Sequence, residues 1–342
     1  MKKNILFCLY LCFFSALKAQ TQTAQVATAG TLSEIAKSYL NTVTNLTITG
    51  TIDKRDFITM RDSMPNLAVL NLSDVSITAY EGEPANTIPA NAFFSNTRLK
   101  LSTIVFPKNI VGIRKFAFQN CSNLKNLNIP DGVTGIGENA FGACRGLTEL
   151  KLPSSLMNLG NSAFYSCEGI SGTVVIPDGV IKIGEYAFYL NKINEITLPV
   201  GMLTIDNDAF GGCFDLKTIR CLSRKPPVLG QRVFTGVSKN MEVYIGSNME
   251  LYKNAEWGDF ILKQAAYPNI GVILINSKSD VNVTSSESGI VISEKTGRKV
   301  LIDNLIGVQV ESIIDGDDTV ILKVKQGEYL IRTAGKTIKV II

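Results

Sequence analysis

"IPDGVTGIGENAFGAC", residues Ile129 to Cys144, is the stretch on which the reading of this chain turns. Its glycines, Gly135, Gly137 and Gly142, invite a phosphate-loop reading. The dinucleotide fingerprint, however, needs G-x-G-x-x-G between a strand and a helix, and here the third glycine sits two places too late. The same letters return as "FPKNIVGIRKFAFQNC" from Phe106, "LPSSLMNLGNSAFYSC" from Leu152, "IPDGVIKIGEYAFYLN" from Ile176 and "LPVGMLTIDNDAFGGC" from Leu198. The glycines therefore belong to a repeat. Its Ala-Phe pairs end at Phe93, Phe118, Phe141, Phe164, Phe188 and Phe210, spaced 25, 23, 23, 24 and 22 residues apart. A period in this range is the signature of a solenoid.

An apolar-x-apolar triplet precedes the proline of each repeat, as in Leu127-Asn128-Ile129, and alternates in and out as a short strand does. The second inward residue of each triplet falls at Ile48, Leu72, Phe106, Ile129, Leu152, Ile176, Leu198, Cys221 and Ile245. The steps are 22 to 24 residues, except for one of 34 between Leu72 and Phe106. About nine coils follow from this, with one insertion near Tyr80 to Thr87. Pro130-Asp131-Gly132 suits the second to fourth positions of a type I turn, which stops the strand. Val133 and Ile136 then point inward and Phe141 fills the space between coils, each such phenylalanine contributing roughly 1.5–3 kcal/mol.

Three residues after the phenylalanine stand Cys121, Cys144, Cys167 and Cys213, with Asn96 and Asn191 in the same slot of two other repeats. A disulfide does not tolerate asparagine. A small buried group that packs and hydrogen-bonds to loop backbone can be either, so the cysteines read as a ladder of free structural thiols.

The pattern apolar-Pro-x-x-apolar-x-x-Ile-Gly-x-x-Ala-Phe-x-x-Cys resembles the BspA-like leucine-rich repeats of bacterial surface proteins, over about Leu46 to Phe260. The resemblance implies a right-handed leucine-rich-repeat solenoid, mainly β with short helices. It also implies adhesion to host or neighbouring-cell components, extracellular-matrix glycoproteins among them. The residues that define it are packing residues and name no ligand.

The first twenty residues carry Lys2 and Lys3, an apolar run from Ile5 to Leu17, and Ala19 before Gln20, the layout of a secretory signal peptide over residues 1–19. Cys12 follows Leu11 and not a small residue, which argues against a lipid anchor. No other apolar stretch is long enough to span a membrane. Loss of the leader removes Lys2, Lys3 and Lys18 and no acid, so the formal charge falls from +4 to +1. That balance offers nothing to nucleic acid or an anionic membrane.

The chain has no histidine, which excludes Ser-His-Asp and Cys-His nucleophile systems and speaks against a transition-metal site. Carboxylate-pair catalysis stays formally open, but no carboxylate pair is placed in an evident enclosed pocket. "TAGKT", Thr333 to Thr337, lacks the first glycine of a P-loop and reads as strand-turn-strand. "DGDD", Asp315 to Asp318, lacks the downstream glutamate of a calcium loop and reads as a hairpin turn. No enzyme, no cofactor and no metal is expected.

Both open ends of the solenoid carry cap signals within residues 20–264. Thr31-Leu32-Ser33-Glu34 reads as a capping box ahead of a helix bearing Ile35, Ala36, Tyr39 and Leu40. At the far end Ser247 and Glu250 repeat the signal and place Leu251, Tyr252, Trp257 and Phe260 on the last coil. Trp257 reads as core rather than as a ligand platform. Over residues 266–342 short alternating runs separated by turn residues predict a small β-sandwich as a second domain, for sorting or anchoring. Its closing "KQGEYLIRTAGKTIKVII" is similar to the C-terminal sorting domains of the type IX export route, although the chain ends in Ile341-Ile342 where those often keep a basic residue.

The expected function is that of an exported, adhesin-like cell-surface protein with a protein or glycoprotein partner. The outward strand residues Asn126, Asn128, Glu149, Lys151, Glu195, Arg220, Glu242 and Tyr244 are the candidate ligand-binding set. The alternative is a carbohydrate-binding accessory protein of a polysaccharide-uptake system, which would want several exposed aromatics in a row.

Overall fold

In the computed structural model, residues 19–94, 99–221, 223, 225–246 and 249–264 are described, together with the backbone of the strands between 282 and 341. The strand triplets stack in parallel. β1 (Thr21–Val26), β2 (Asn45–Ile52), β3 (Val69–Ile77) and β4 (Thr103–Val105) form one sheet. β5 (Ser171–Val175), β6 (Lys192–Leu198), β7 (Thr218–Cys221), β8 (Glu242–Ile245) and β9 (Ile261–Gln264) form another. The coils between them are joined by the single bridges Thr103 to Asn126 and Asn128 to Lys151. All nine inward positions from Ile48 to Ile245 are buried.

The ladder is longer than the repeat suggests. β1 pairs with β2, setting Ala24 opposite Ile48, and β9 pairs with β8, setting Gln264 opposite Ile245. Each adds a strand beyond the nine coils. A further ladder runs beside the first, built from seven two-residue strands: 87–88, 112–113, 135–136, 158–159, 182–183, 204–205 and 228–229. It buries Ile88, Ile113, Ile136, Leu159, Ile183 and Ile205 against the triplets.

The turn after the triplet begins one residue later than expected. Val133, Leu156, Val180 and Met202 each donate their N–H to the carbonyl of the proline three residues before, at 3.3, 3.0, 3.0 and 3.1 Å. Proline thus takes the first turn position, where its missing N–H costs nothing and its carbonyl is used. Gly132 takes the third with φ of 114°, a left-handed value that a side chain rarely adopts.

The phenylalanines stack along the axis as one column. Consecutive rings from Phe93 through Phe118, Phe141, Phe164, Phe188 and Phe210 to Phe234 lie 5.2 to 5.8 Å apart in stacked geometry. Each of the five cysteines in the described residues is unpaired and buried. The thiols of Cys121, Cys144, Cys167 and Cys213 donate to the carbonyls of Phe93, Phe118, Phe141 and Phe188, each one coil back, at 3.0 to 3.1 Å. Asn191 does the same with its Nδ2 on Phe164 at 2.9 Å. Cysteine and asparagine interchange because both donate to the same carbonyl. Asn96 lies outside the described residues.

At the N-terminal end the expected capping box is absent. α1 (Leu32–Ile35) is a single turn, Thr31 makes no side-chain cap, and Ile35 is exposed. Thr31 instead turns its hydroxyl to the Thr28 carbonyl at 2.7 Å. The box belongs to α2 (Lys54–Ser63), where Asp53 caps the helix and Asp56 reaches back. Buried Asp56 accepts the N–H groups of Gly30 (2.7 Å), Leu32 (3.0 Å) and Asp53 (2.9 Å), and so ties the strand-to-helix connection of the first coil to the second.

At the C-terminal end α3 (Met249–Lys253) and the turn Glu256–Asp259 bury Tyr252 and Trp257. Trp257 donates to the Pro227 carbonyl at 2.9 Å, and its ring meets Phe234 edge-on at 5.7 Å. Leu251, expected on the last coil, is exposed, because Tyr252 takes the inward position of this one-turn helix. Ser247 lies outside the described residues.

Strands 282–286, 289–293 and 320–322 form one antiparallel sheet. Strands 301–304, 309–311, 328–333 and 336–341 form a second. In "TAGKT" Thr333 and Lys336 are antiparallel strand partners, and Ala334 and Gly335 between them lie outside the described residues. Residues 1–18, where most of the expected signal peptide falls, and Asp315 to Asp318 lie outside the described residues.

Candidate binding face

The strand alternation that buries Ile129 or Leu198 turns its neighbours outward, and all eight candidate residues stand on that outer face. They fall into two groups. Glu195, Arg220, Glu242 and Tyr244 form one linked cluster on β6, β7 and β8. The Arg220 guanidinium bonds Glu195 at 2.6 Å and lies 5.1 Å from the centre of the Tyr244 ring, while the Tyr244 hydroxyl donates to Glu242 at 2.9 Å. Lys263 on β9, the register partner of Tyr244, completes the cluster by pairing with Glu242. The Lys263 ammonium beside Glu242 lowers the pKa of that carboxyl, and the Glu242 carboxylate in turn raises that of Lys263. These charges are bound to one another and not freely solvated.

Asn126, Asn128, Glu149 and Lys151 form the other group, at the stretch where the triplets are held only by single bridges. β5 is the edge of its sheet on this side. A groove of about 990 Å³ opens there across the coils from Asn128 to Thr197. Exposed Glu149, Lys151, Thr173 and Val175 line it, together with Pro130, Pro153, Pro177 and Pro199. Asn126 lies outside the groove lining. Lys263 and the groove itself were not foreseen. β9 follows an irregular cap and carries no repeat letters, and a lapse in strand pairing leaves no mark in composition.

Aromatics cluster elsewhere. Tyr165, Tyr186 and Tyr189 follow or precede the buried phenylalanines of two adjacent coils, with Tyr165 stacked on Tyr189 at 5.5 Å and Tyr186 edge-on to it at 5.4 Å. Arg232, paired with Asp208 at 2.7 Å, lies near Tyr186. Among the described residues, the shifted titrations belong to core thiols, to surface ion pairs and to half-buried Tyr39.

Stacked 22- to 24-residue coils with a strand face, a phenylalanine column and a cysteine rung define a leucine-rich-repeat β-solenoid. The model of the BspA type leucine-rich repeat region matches in six copies over residues 86–173 and 170–278, more than half of the chain, and the chain belongs to that family. The solved leucine-rich repeat protein of T. pallidum is similar at 29% identity and a TM-score of 0.43, over 49% of this chain and 75% of its own. A leucine-rich cell surface protein of Faecalibacterium prausnitzii is similar at 15% identity and 0.29, over 68% of this chain and 82% of its own. The pneumococcal vaccine antigen PcpA is similar at 14% identity and 0.34, over 65% of this chain and 60% of its own. No curated protein matches.

Proposed function

We propose that the chain is an exported, non-enzymatic surface protein whose strand face binds a protein or glycoprotein, with the groove at Glu149 and Lys151 as the centre of contact. The observation that carries this is the groove itself. It presents an acid and a base on one coil beside exposed Val175, next to a cluster whose charges pair with one another. A cleft of this size, open along the coils, takes an extended chain segment or a short glycan of a glycoprotein. Residues 266–342 then serve to sort or anchor the solenoid.

The test is an array of matrix glycoproteins, cell-surface proteins and glycans probed with the purified chain and with a Glu149→Lys/Lys151→Glu double variant. The expected result is a bound protein or glycoprotein whose affinity falls at least about tenfold in the double variant, since contact charges act on specificity and encounter. A partner held equally well by both would remove the groove from the site.

One observation favours a glycan reading in its own right. The Tyr165, Tyr186 and Tyr189 cluster offers ring surface next to hydroxyls and the Arg232–Asp208 pair, the mixture that sugars stack on and bond to. Glycan binding lost in Tyr165→Ala and Tyr189→Ala, and kept in the groove double variant, would favour it.

A further inference from the structure

The second ladder carries a row of exposed aliphatic side chains. Val111, Met157, Ile181 and Leu203 stand one residue before their two-residue strands and are 48%, 57%, 51% and 59% exposed. Val228, one register place over and beside Leu203, is 68% exposed. Backbone bonds tie four of the neighbouring rungs: Thr134 to Val111 at 2.9 Å, Met157 to Thr134 at 3.0 Å, Leu203 to Ile181 at 2.9 Å and Val228 to Leu203 at 2.9 Å, while Ile183 pairs with Leu159 across the remaining step. The coil itself does not require an apolar residue here, because the core is filled two places later by Ile113, Ile136, Leu159, Ile183 and Ile205, and Thr134 occupies the same position without harm.

We propose that this row is the contact between two copies of the chain, lying antiparallel about a two-fold axis near Met157 and Ile181. Three features single out a second copy as the occupant. The first is period. Rungs rise about 4.8 Å per coil, whereas a helix offers a residue every 5.4 Å or so and a strand every 6.6 to 6.8 Å on one side, so a helix drifts by about 3 Å over five steps and a strand by more. Another copy of the same row keeps register along its whole length. The second is area. Half to two-thirds of five aliphatic side chains amounts to roughly 400–500 Å² per copy, and twice that, with Thr134 and the neighbouring column, reaches the roughly 1,000–1,200 Å² at which stable pairs begin. The third is the neighbouring column. It holds Gly112, Gly135, Asn158 and Thr204, which allow close approach, and Lys182, whose charge is taken by Asp206 at 2.7 Å. A two-fold pairing is self-complementary and closes, so it yields a dimer and not a fibre.

Sedimentation of the full chain, purified as its host produces it, tests this beside an Ile181→Asp/Leu203→Asp double variant. The expected result is twice the monomer mass for the natural chain and the monomer mass for the variant, with unchanged circular dichroism and melting. A Met157→Cys variant covers the case in which the double variant fails to fold: the five described cysteines are buried, so a bifunctional maleimide should join two copies through the introduced thiol. A natural chain of monomer mass overturns the proposal, and so does a dimer that survives in a folded double variant. An introduced thiol that is shielded in a monomer also overturns it and assigns the row to another part of the same chain.

Discussion

At the scale of single residues the cysteine rung shows what the repeat selects for: a small buried donor aimed at one carbonyl. Phe141→Ala opens a gap in the ring column that neighbouring coils cannot close without losing register, and should cost roughly 3–5 kcal/mol in denaturant unfolding. Cys144→Asn keeps the donor and should cost only about 1–2 kcal/mol, the toll of an amide oxygen left without a partner. Asn191 already bears that toll, since its Oδ1 is buried and unbonded. Asn191→Cys should therefore be neutral or stabilising. The thiols also set an alkaline limit. Burial pushes Cys121, Cys167 and Cys213 from 9.0 up to about 12. The unfolded chain loses these protons first, so their contribution is complete below about pH 9 and is lost as pH rises towards 12. Melting temperature followed upward from about pH 9 should fall less steeply in Cys213→Asn than in the natural chain. Equal slopes would mean that the thiol is not buried.

At the scale of elements, the first coil depends on one carboxylate. Asp56→Ala leaves the N–H groups of Gly30, Leu32 and Asp53 without their acceptor, at a cost on the order of 3–5 kcal/mol that falls on the end of the stack. Hydrogen exchange should show β1 losing protection while β6 and β7 keep theirs; uniform loss along the solenoid would show that the end is not an independent unit. The central coils were legible in the sequence because phenylalanine, cysteine and proline recur there at fixed offsets, each with a packing reason. The outward residues Glu195, Arg220, Glu242 and Tyr244 were legible for the same reason, since strand alternation leaves them no other side. The second ladder was not, because two residues are too few to show a period. β1, "TQTAQV", has only Ala24 and Val26 to bury and lacks the bulky alternation of a strand signal. The cap motif at Thr31 misled because its letters were right while the Glu34 N–H bonds the Thr31 backbone carbonyl and the Thr31 hydroxyl is turned to Thr28. Lys263 and the groove depend on which coils pair and which do not, a property of neighbouring coils that no single repeat encodes.

At the scale of the whole molecule, a solenoid is a one-dimensional stack whose stability is set by its coils, their interfaces and its two ends. The C-terminal end is sealed by its own chain: Tyr252 and Trp257 are fully buried, Phe260 meets Phe234 edge-on at 5.4 Å, and β9 extends the strand face by one. Each of these contacts is made within residues 227–264. A chain ending at Gln264 should therefore remain soluble and melt in one cooperative transition. In the proposed reading it should also keep its ligand, because the groove lies several coils away from the cut. Surface display should behave differently, since the same proposal gives sorting or anchoring to residues 266–342. Expressing the truncated and full chains in the native host and shaving intact cells with protease separates the two roles. Loss of exposed protein with binding retained in the purified truncated chain is the expected outcome. Full display of the truncated chain would strip the C-terminal strands of that role, and an insoluble truncated solenoid would show that Trp257 and Tyr252 do not suffice to close the stack.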